Sequence, residues 1–154
     1  MNQTNKELKI AVVGAGAIGG ICAGLIKKAG YDVTVVVRRE AHARQIMEEG
    51  IHIKGICGEF TVKMDAIAGV ENLAPDLDLV LLGVKATALG DVVQQLISRL
   101  SPSAMVVSLQ NGFCEDAIGK VLGRDRVIGC VTGWGATLHS DCDLEMTSTG
   151  DFIA

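Results

Sequence analysis

Gly14-Ala15-Gly16-Ala17-Ile18-Gly19 follows a β-branched run at residues 9–13 and opens an apolar segment. In that context the spacing G-x-G-x-x-G has a mechanical sense. Gly14 turns the chain tightly, Gly16 lets main-chain atoms approach a pyrophosphate, and Gly19 lets a helix pack closely on the strand. Ala15, Ala17 and Ile18 complete a loop whose N–H groups, backed by a helix dipole, favour an anion. The pattern predicts that residues 14–19 hold a dinucleotide pyrophosphate.

The nucleotide is read at the end of the next strand. Folds that prefer NAD place Asp or Glu there, on the ribose 2′-hydroxyl. Here the run over 33–37 ends in Arg38-Arg39. Asp32 stands at the wrong end of that strand, and Glu40 follows the arginines. A guanidinium at Arg38 can fork onto a 2′-phosphate and stack on adenine, so NADP(H) is expected rather than NAD(H). Lys85 follows the run LVLLGV, and Gln110-Asn111-Gly112 follows MVVSL. Both fall at carboxyl ends of strands, where open α/β sheets bind ligands. Lys85 can steer an anionic group of cofactor or substrate, and Asn111 can offer its amide to the nicotinamide ribose or a substrate oxygen.

These groups need a scaffold that brings strand ends together, and the hydropathy pattern supplies one. It predicts strands over 9–13, 32–37, 79–84, 105–109 and 127–131. Helices are expected over 17–29, 41–49, 87–100 (closed by Pro102) and 115–122, with apolar residues of the third at helical spacing. Residues 51–70 carry only short β-prone pieces, and residues 134–154 read as strands and turns. Near-continuous apolar strands alternating with helices specify an α/β, doubly wound, mostly parallel sheet of Rossmann-like NAD(P)-binding type.

Composition narrows the class. The 154 residues are 49% apolar, which suits one ordered domain with a core of its own and excludes disorder. A net charge of −4 argues against nucleic acid and anionic membranes as partners. Residues 1–54 nevertheless hold eight basic against five acidic side chains, a local bias that suits a local anionic ligand. Cys22, Cys57, Cys114, Cys130 and Cys142 show no C-x-x-C pair, and His42, His52 and His139 no ligand spacing. Reduced thiols, a cytoplasmic setting and no metal are therefore expected. The uncharged run over 10–26 resembles a membrane segment, but five of its 17 residues are glycine, and it divides into strand, turn and helix.

KIAVVGAGAIGG, the Arg38 closing DVTVVVR, DLVLLGVKA around Lys85, SLQNG, and RVIGCVTGWGA, in this order from about residue 8, resemble the N-terminal domain of the ketopantoate reductases (2-dehydropantoate 2-reductases). The resemblance implies an NADP-dependent oxidoreductase of pantothenate biosynthesis, in which NADPH gives a hydride to the keto carbon of ketopantoate and yields pantoate. It places residues 14–19 on the pyrophosphate and Arg38 on the 2′-phosphate. Lys85 and Asn111 fall at the cofactor, Asn111 also near the substrate. Ala136 of the GWGA stretch falls on a main-chain contact to the cofactor, with Gly135 the alternative at that spacing.

In that family the catalytic lysine and most substrate-binding groups lie in a helical C-terminal domain. Residues 1–154 are accordingly expected to form the dinucleotide-binding domain, incomplete at its C-terminal end. No catalytic residue is expected in this chain, nor turnover by it alone. Two other readings stay open: the cofactor domain of another 2-keto or β-hydroxy acid dehydrogenase, and a stand-alone nucleotide-sensing Rossmann module. The oligomeric state is not legible.

Overall fold

The computed structural model describes residues 7–110, 114–150 and 152–153. Along the chain, β1 (Ile10–Val13) leads through the glycine loop into α1 (Ala17–Lys28), followed by β2 (Val33–Val37) and α2 (Glu40–Glu48). Three strands come next: β3 (Ile51–Gly55), β4 (Phe60–Val62) and β5 (Asp65–Ala68). Then come β6 (Leu77–Leu82), α3 (Leu89–Leu96), β7 (Leu100–Ser108), α4 (Glu115–Leu122) and β8 (Val127–Gly129). The short strands β9 (Val131–Thr132), β10 (Ala136–Ser140), β11 (Asp143–Met146) and β12 (Phe152–Ile153) follow.

Six strands form one parallel sheet in the order β5-β2-β1-β6-β7-β8. In this sheet's own sequence that is 3-2-1-4-5-6, the order of the dinucleotide-binding Rossmann fold. Central β1 is buried throughout. Ile10 and Val12 point into the layer that contains Ile21, Ala43 and Ile46 of α1 and α2. Ala11 and Val13 point into the layer that contains Leu89, Val93, Ile118 and Leu122 of α3 and α4. Burial on both faces is why these strands read as unbroken apolar runs rather than alternating ones.

A second, four-stranded sheet, β10-β11-β3-β4, lies on the outer side of α1. Its register pairs Leu144 of β11 with Ile53 of β3, in parallel, and both side chains are fully buried. Helix α1 admits this sheet because its outer face is small. A methyl at Gly20 would stand 2.5 Å from Leu144 Cδ1, and one at Gly24 would collide with Ile53 Cδ1. The uncharged run over 10–26 is thus a strand and a helix enclosed in protein, and no described helix is long and apolar enough to cross a membrane. On the solvent side of the second sheet, His52 Nδ1 lies 2.9 Å from Asp143 and its Nε2 3.0 Å from Glu59, while Lys54 Nζ donates to Asp143 at 3.2 Å.

The short β-prone pieces expected over 51–70 are strands, with β3 and β4 in the second sheet and β5 at the edge of the first. Other expectations need correction. The helix expected over 87–100 is shorter: α3 lies between single 3₁₀ turns at Ala86–Ala88 and Ile97–Arg99. Pro102 does not close a helix but lies inside β7, where the register jumps from Leu77↔Leu100 to Leu79↔Met105. A proline without an N–H is tolerated at such a bulge. Arg126 holds the bulge by donating to the carbonyls of Ser101 (2.7 Å) and Ala104 (3.1 Å). The strand expected over 79–84 runs instead from Leu77 to Leu82, and the one over 127–131 divides at Cys130 into β8 and β9.

Candidate functional site

The glycine loop occupies the carboxyl edge of the parallel sheet, at its centre. Gly14 has φ +100°, and its N–H donates to Val36 O at 2.9 Å. A methyl there would lie 2.9 Å from the carbonyl carbon of Gly83, and one at Gly19 would collide with the carbonyl oxygen of Gly14. Gly83, in turn, donates its N–H to Val13 O at 2.8 Å. The exits of β1 and β6 and the first turn of α1 therefore meet main chain to main chain, which no larger side chain would permit. Gly83 belongs to no nucleotide-binding pattern, and only its place after LVLL could have drawn attention to it.

Gly16 is different in kind. It is the N-cap of α1, it is exposed, and a methyl on it would meet nothing within 4 Å. The tightness of this loop is internal at Gly14 and Gly19, whereas at Gly16 the main chain faces open space. The first N–H groups of a helix have no partner within it, and the first turn of α1 carries no acidic side chain. Gly20 N–H, four positions on from the cap, closes onto Gly16 O at 2.8 Å. Ala15 is buried in the core, while Ala17 and Ile18 are half-buried, so the loop offers main-chain donors rather than side chains. These residues fit a dinucleotide pyrophosphate.

The two arginines after β2 have separate fates. Arg39 is paired with Asp141 in the turn between β10 and β11. The main-chain carbonyl of Asp141 also lies 2.8 Å from His42 Nε2, so the turn is held at two points against the start of α2. The Arg39 guanidinium holds the Asp141 carboxyl below the usual carboxylate range. Arg38 is exposed and has no ion pair or hydrogen bond with any described residue. Among the described residues one guanidinium is committed and its neighbour has no partner.

Lys85 stands just past β6, exposed, and its carbonyl accepts the Ala88 N–H at 2.9 Å as the 3₁₀ turn begins. Beside it, Gln110 acts as a clamp. Its Nε2 donates to Val84 O at 3.1 Å, and its Oε1 accepts the Ser108 hydroxyl at 2.5 Å. Together with the bond from Leu109 N–H to Leu82 O, this ties the exits of β6 and β7 side by side. Sequence reading took Gln110 as part of a turn and missed this role. Asn111 lies outside the described residues. Ala136 begins β10, pairs with Met146, and packs half-buried on the core beneath the second sheet. Its neighbour Gly135 accepts the Thr147 N–H at its carbonyl (2.9 Å) and donates its own N–H to the Ser148 hydroxyl (2.8 Å). Thus the fold brings Gly14–Gly19, Gly83, Lys85 and Gln110 to one edge, adds Arg38 at the next strand, and sets Ala136 on a separate sheet that touches α1.

Cys22 and Cys142 add packing rather than a nucleophile. All five cysteines are free. Burial, then the neighbouring Cys130, pushes the Cys22 thiol up to about 12. Burial, followed by Asp141 and Glu49, pushes Cys142 up to about 11. Such thiols stay protonated and inert.

Residues 10–153 match the family model described as ketopantoate reductase PanE/ApbA. The chain belongs to this family. The 2-dehydropantoate 2-reductase of Pyrococcus abyssi is 33% identical over 144 residues, covering 93% of the chain and 46% of that relative. The Bacillus subtilis 2-dehydropantoate 2-reductase is 31% identical over 145 residues, again covering 93% and 46%. The chain therefore spans about half the length of the curated family members it matches. Among solved structures, 2-dehydropantoate 2-reductase from Geobacter metallireducens superposes with TM-score 0.83 at 31% identity, over 94% of the chain and 48% of that structure. D-mandelate dehydrogenase, solved with NADH and anilino(oxo)acetate, gives TM-score 0.82 at 25% identity, with 94% and 47% covered. The Rossmann-like fold and its kinship with the ketopantoate reductases agree with the reading of the sequence.

Proposed function

We propose that the chain binds NADP(H) at the carboxyl edge of its parallel sheet, as the cofactor-binding part of a 2-dehydropantoate 2-reductase-like oxidoreductase. The observation that carries this is the pairing of an open, acid-free glycine loop with an unpartnered Arg38 at the end of the next strand. Main-chain N–H groups around Gly16 hold the pyrophosphate, with the α1 dipole behind them. Arg38 grips the 2′-phosphate, a charge that a hydroxyl in its place would lack. Lys85, next to the Val84 carbonyl that Gln110 clamps, serves the nicotinamide half, with Asn111 and the Ala136 main chain as further contacts. The reduced nicotinamide supplies the hydride for ketopantoate, and Asn111 helps to orient that 2-keto acid. No catalytic acid is assigned to residues 1–154, so the chain by itself is expected to bind cofactor without turnover. A cytoplasmic setting with reduced thiols belongs to the same reading.

Titration of NADPH and NADH into the wild-type chain and Arg38→Ala tests this. A charge-assisted contact is worth about 1.5–3 kcal/mol, or roughly one to two decades in Kd. NADPH binding should weaken by that amount in the variant while NADH binding stays nearly unchanged. Equal losses for both nucleotides would remove Arg38 from the 2′-phosphate. The likeness to D-mandelate dehydrogenase solved with NADH favours a second reading, a domain serving another 2-keto acid with NADH. Tighter binding of NADH than NADPH by the wild type would select it.

A further inference from the structure

Resting on that reading of the nucleotide site, the charges around Arg38 carry one step more. Four formal charges meet where β2 ends: Arg38 and Arg39, Glu40 at the start of α2, and Asp141 from the turn between β10 and β11. They sum to zero. Arg39 reaches across 102 residues of sequence to Asp141, and His42 meets the carbonyl of that same residue, so the acidic turn is fixed against the nucleotide edge rather than passing near it. We propose that Asp141 is a specificity-determining residue: by cancelling Arg39 it leaves Arg38 to read the 2′-phosphate alone, and so limits how strongly NADP(H) is preferred over NAD(H).

The physical argument is one of net charge at a solvent-facing site. A 2′-phosphate is drawn by every uncompensated cation within a Debye length, about 8 Å at physiological salt. A paired guanidinium contributes little to that field, because its carboxylate repels the phosphate nearly as much as it attracts. The Asp141 carboxyl, held in its charged form by Arg39, keeps this cancellation in place at neutral pH. The second sheet, which otherwise serves α1, thereby reaches the cofactor's adenosine end through one side chain.

A double-mutant cycle on the intact chain provides the test, with Kd for NADPH and NADH measured at low salt in wild type, Asp141→Asn, Arg39→Gln and the double variant. Asp141→Asn is expected to raise the NADPH-over-NADH preference about two- to fivefold, the range of exposed charge pairs. Arg39→Gln should lower it by a similar factor, and the double variant should return it to the wild-type value. An unchanged or reduced preference in Asp141→Asn would overturn the proposal, as would equal effects on both nucleotides. If Asp141→Asn does not fold, Asp141→Ser stands in for it: a raised preference supports the proposal, and an unchanged or lowered one overturns it. Wild-type chain that binds neither nucleotide refutes the underlying cofactor reading instead, which keeps the two failures apart.

Discussion

Alanine at Gly16 and alanine at Gly19 should have opposite consequences, although the two substitutions are chemically identical and three residues apart. At Gly19 the new methyl would fall far inside 3.0 Å of the Gly14 carbonyl oxygen. That oxygen belongs to main chain pinned by the bond from Gly14 N–H to Val36 O, so it cannot swing aside as a side chain would. Overpacking costs about 1–3 kcal/mol, and contact with fixed main chain belongs at the upper end. Alanine returns about 1 kcal/mol through its better helix propensity. The net loss is about 2 kcal/mol, or roughly 4–8 °C in Tm for a domain of this size. At Gly16 the methyl meets nothing within 4 Å, and φ −70° suits any L-residue, so Tm should stay within about 1–2 °C of wild type. Its Cβ, however, occupies the space assigned to the pyrophosphate, and NADPH affinity should fall at least tenfold. Thermal unfolding by circular dichroism and nucleotide titration on the same samples separate the cases. A Gly16→Ala protein that binds NADPH like the wild type would refute the placement of the pyrophosphate. A Gly19→Ala protein with unchanged Tm would refute the main-chain packing argument.

Leu144→Ala should destabilise the domain by about 2–5 kcal/mol, because a fully buried leucine between the second sheet and α1 is truncated; denaturant unfolding checks it, and a loss below 1 kcal/mol would mean that this sheet only rests on α1. His52 is raised above its ordinary range by Asp143 and then by Glu59. Its contribution to stability is thus fully present below pH about 6.5 and fades as pH rises through the higher folded value. Between pH 6 and 9 the wild type should lose more Tm than His52→Gln does, and parallel curves would discount the cluster.

The central part of the fold was legible because its causes are local. β1, the glycine loop and α1 are marked by a β-branched run, three glycines at fixed offsets, and lysines in the last turn. Of the second sheet only the strands were legible, as short β-prone pieces over 51–70 and strands and turns over 134–154; the parallel pairing of β3 with β11 leaves no signal within either segment. Gly20 and Gly24 face this sheet, where Leu144 and Ile53 press on them. Pro102 misled for a related reason: proline after an apolar helical pattern suggests a helix end, whereas the bulge that accommodates it depends on Arg126. At the site, Arg38 and Lys85 were singled out by position alone. What position could not show is that Arg39 is paired with Asp141, a hundred residues away.

The Leu144–Ile53 pairing also sets an order of events during synthesis. Translation delivers β1, α1 and β3 first, and neighbouring elements of the parallel sheet can assemble as they emerge. The outer face of α1 must wait, because its cover includes β11, some ninety residues downstream of the strand it joins. Contacts this distant in sequence are slow to form, since the loop they close costs entropy before they return any stabilisation. Until β11 has been made, the part of α1 around Gly20 lacks the Leu144 side chain that covers it, although Ile53 and Val62 are already available to cover Gly24. Closure of the second sheet over that face therefore cannot precede the synthesis of β11.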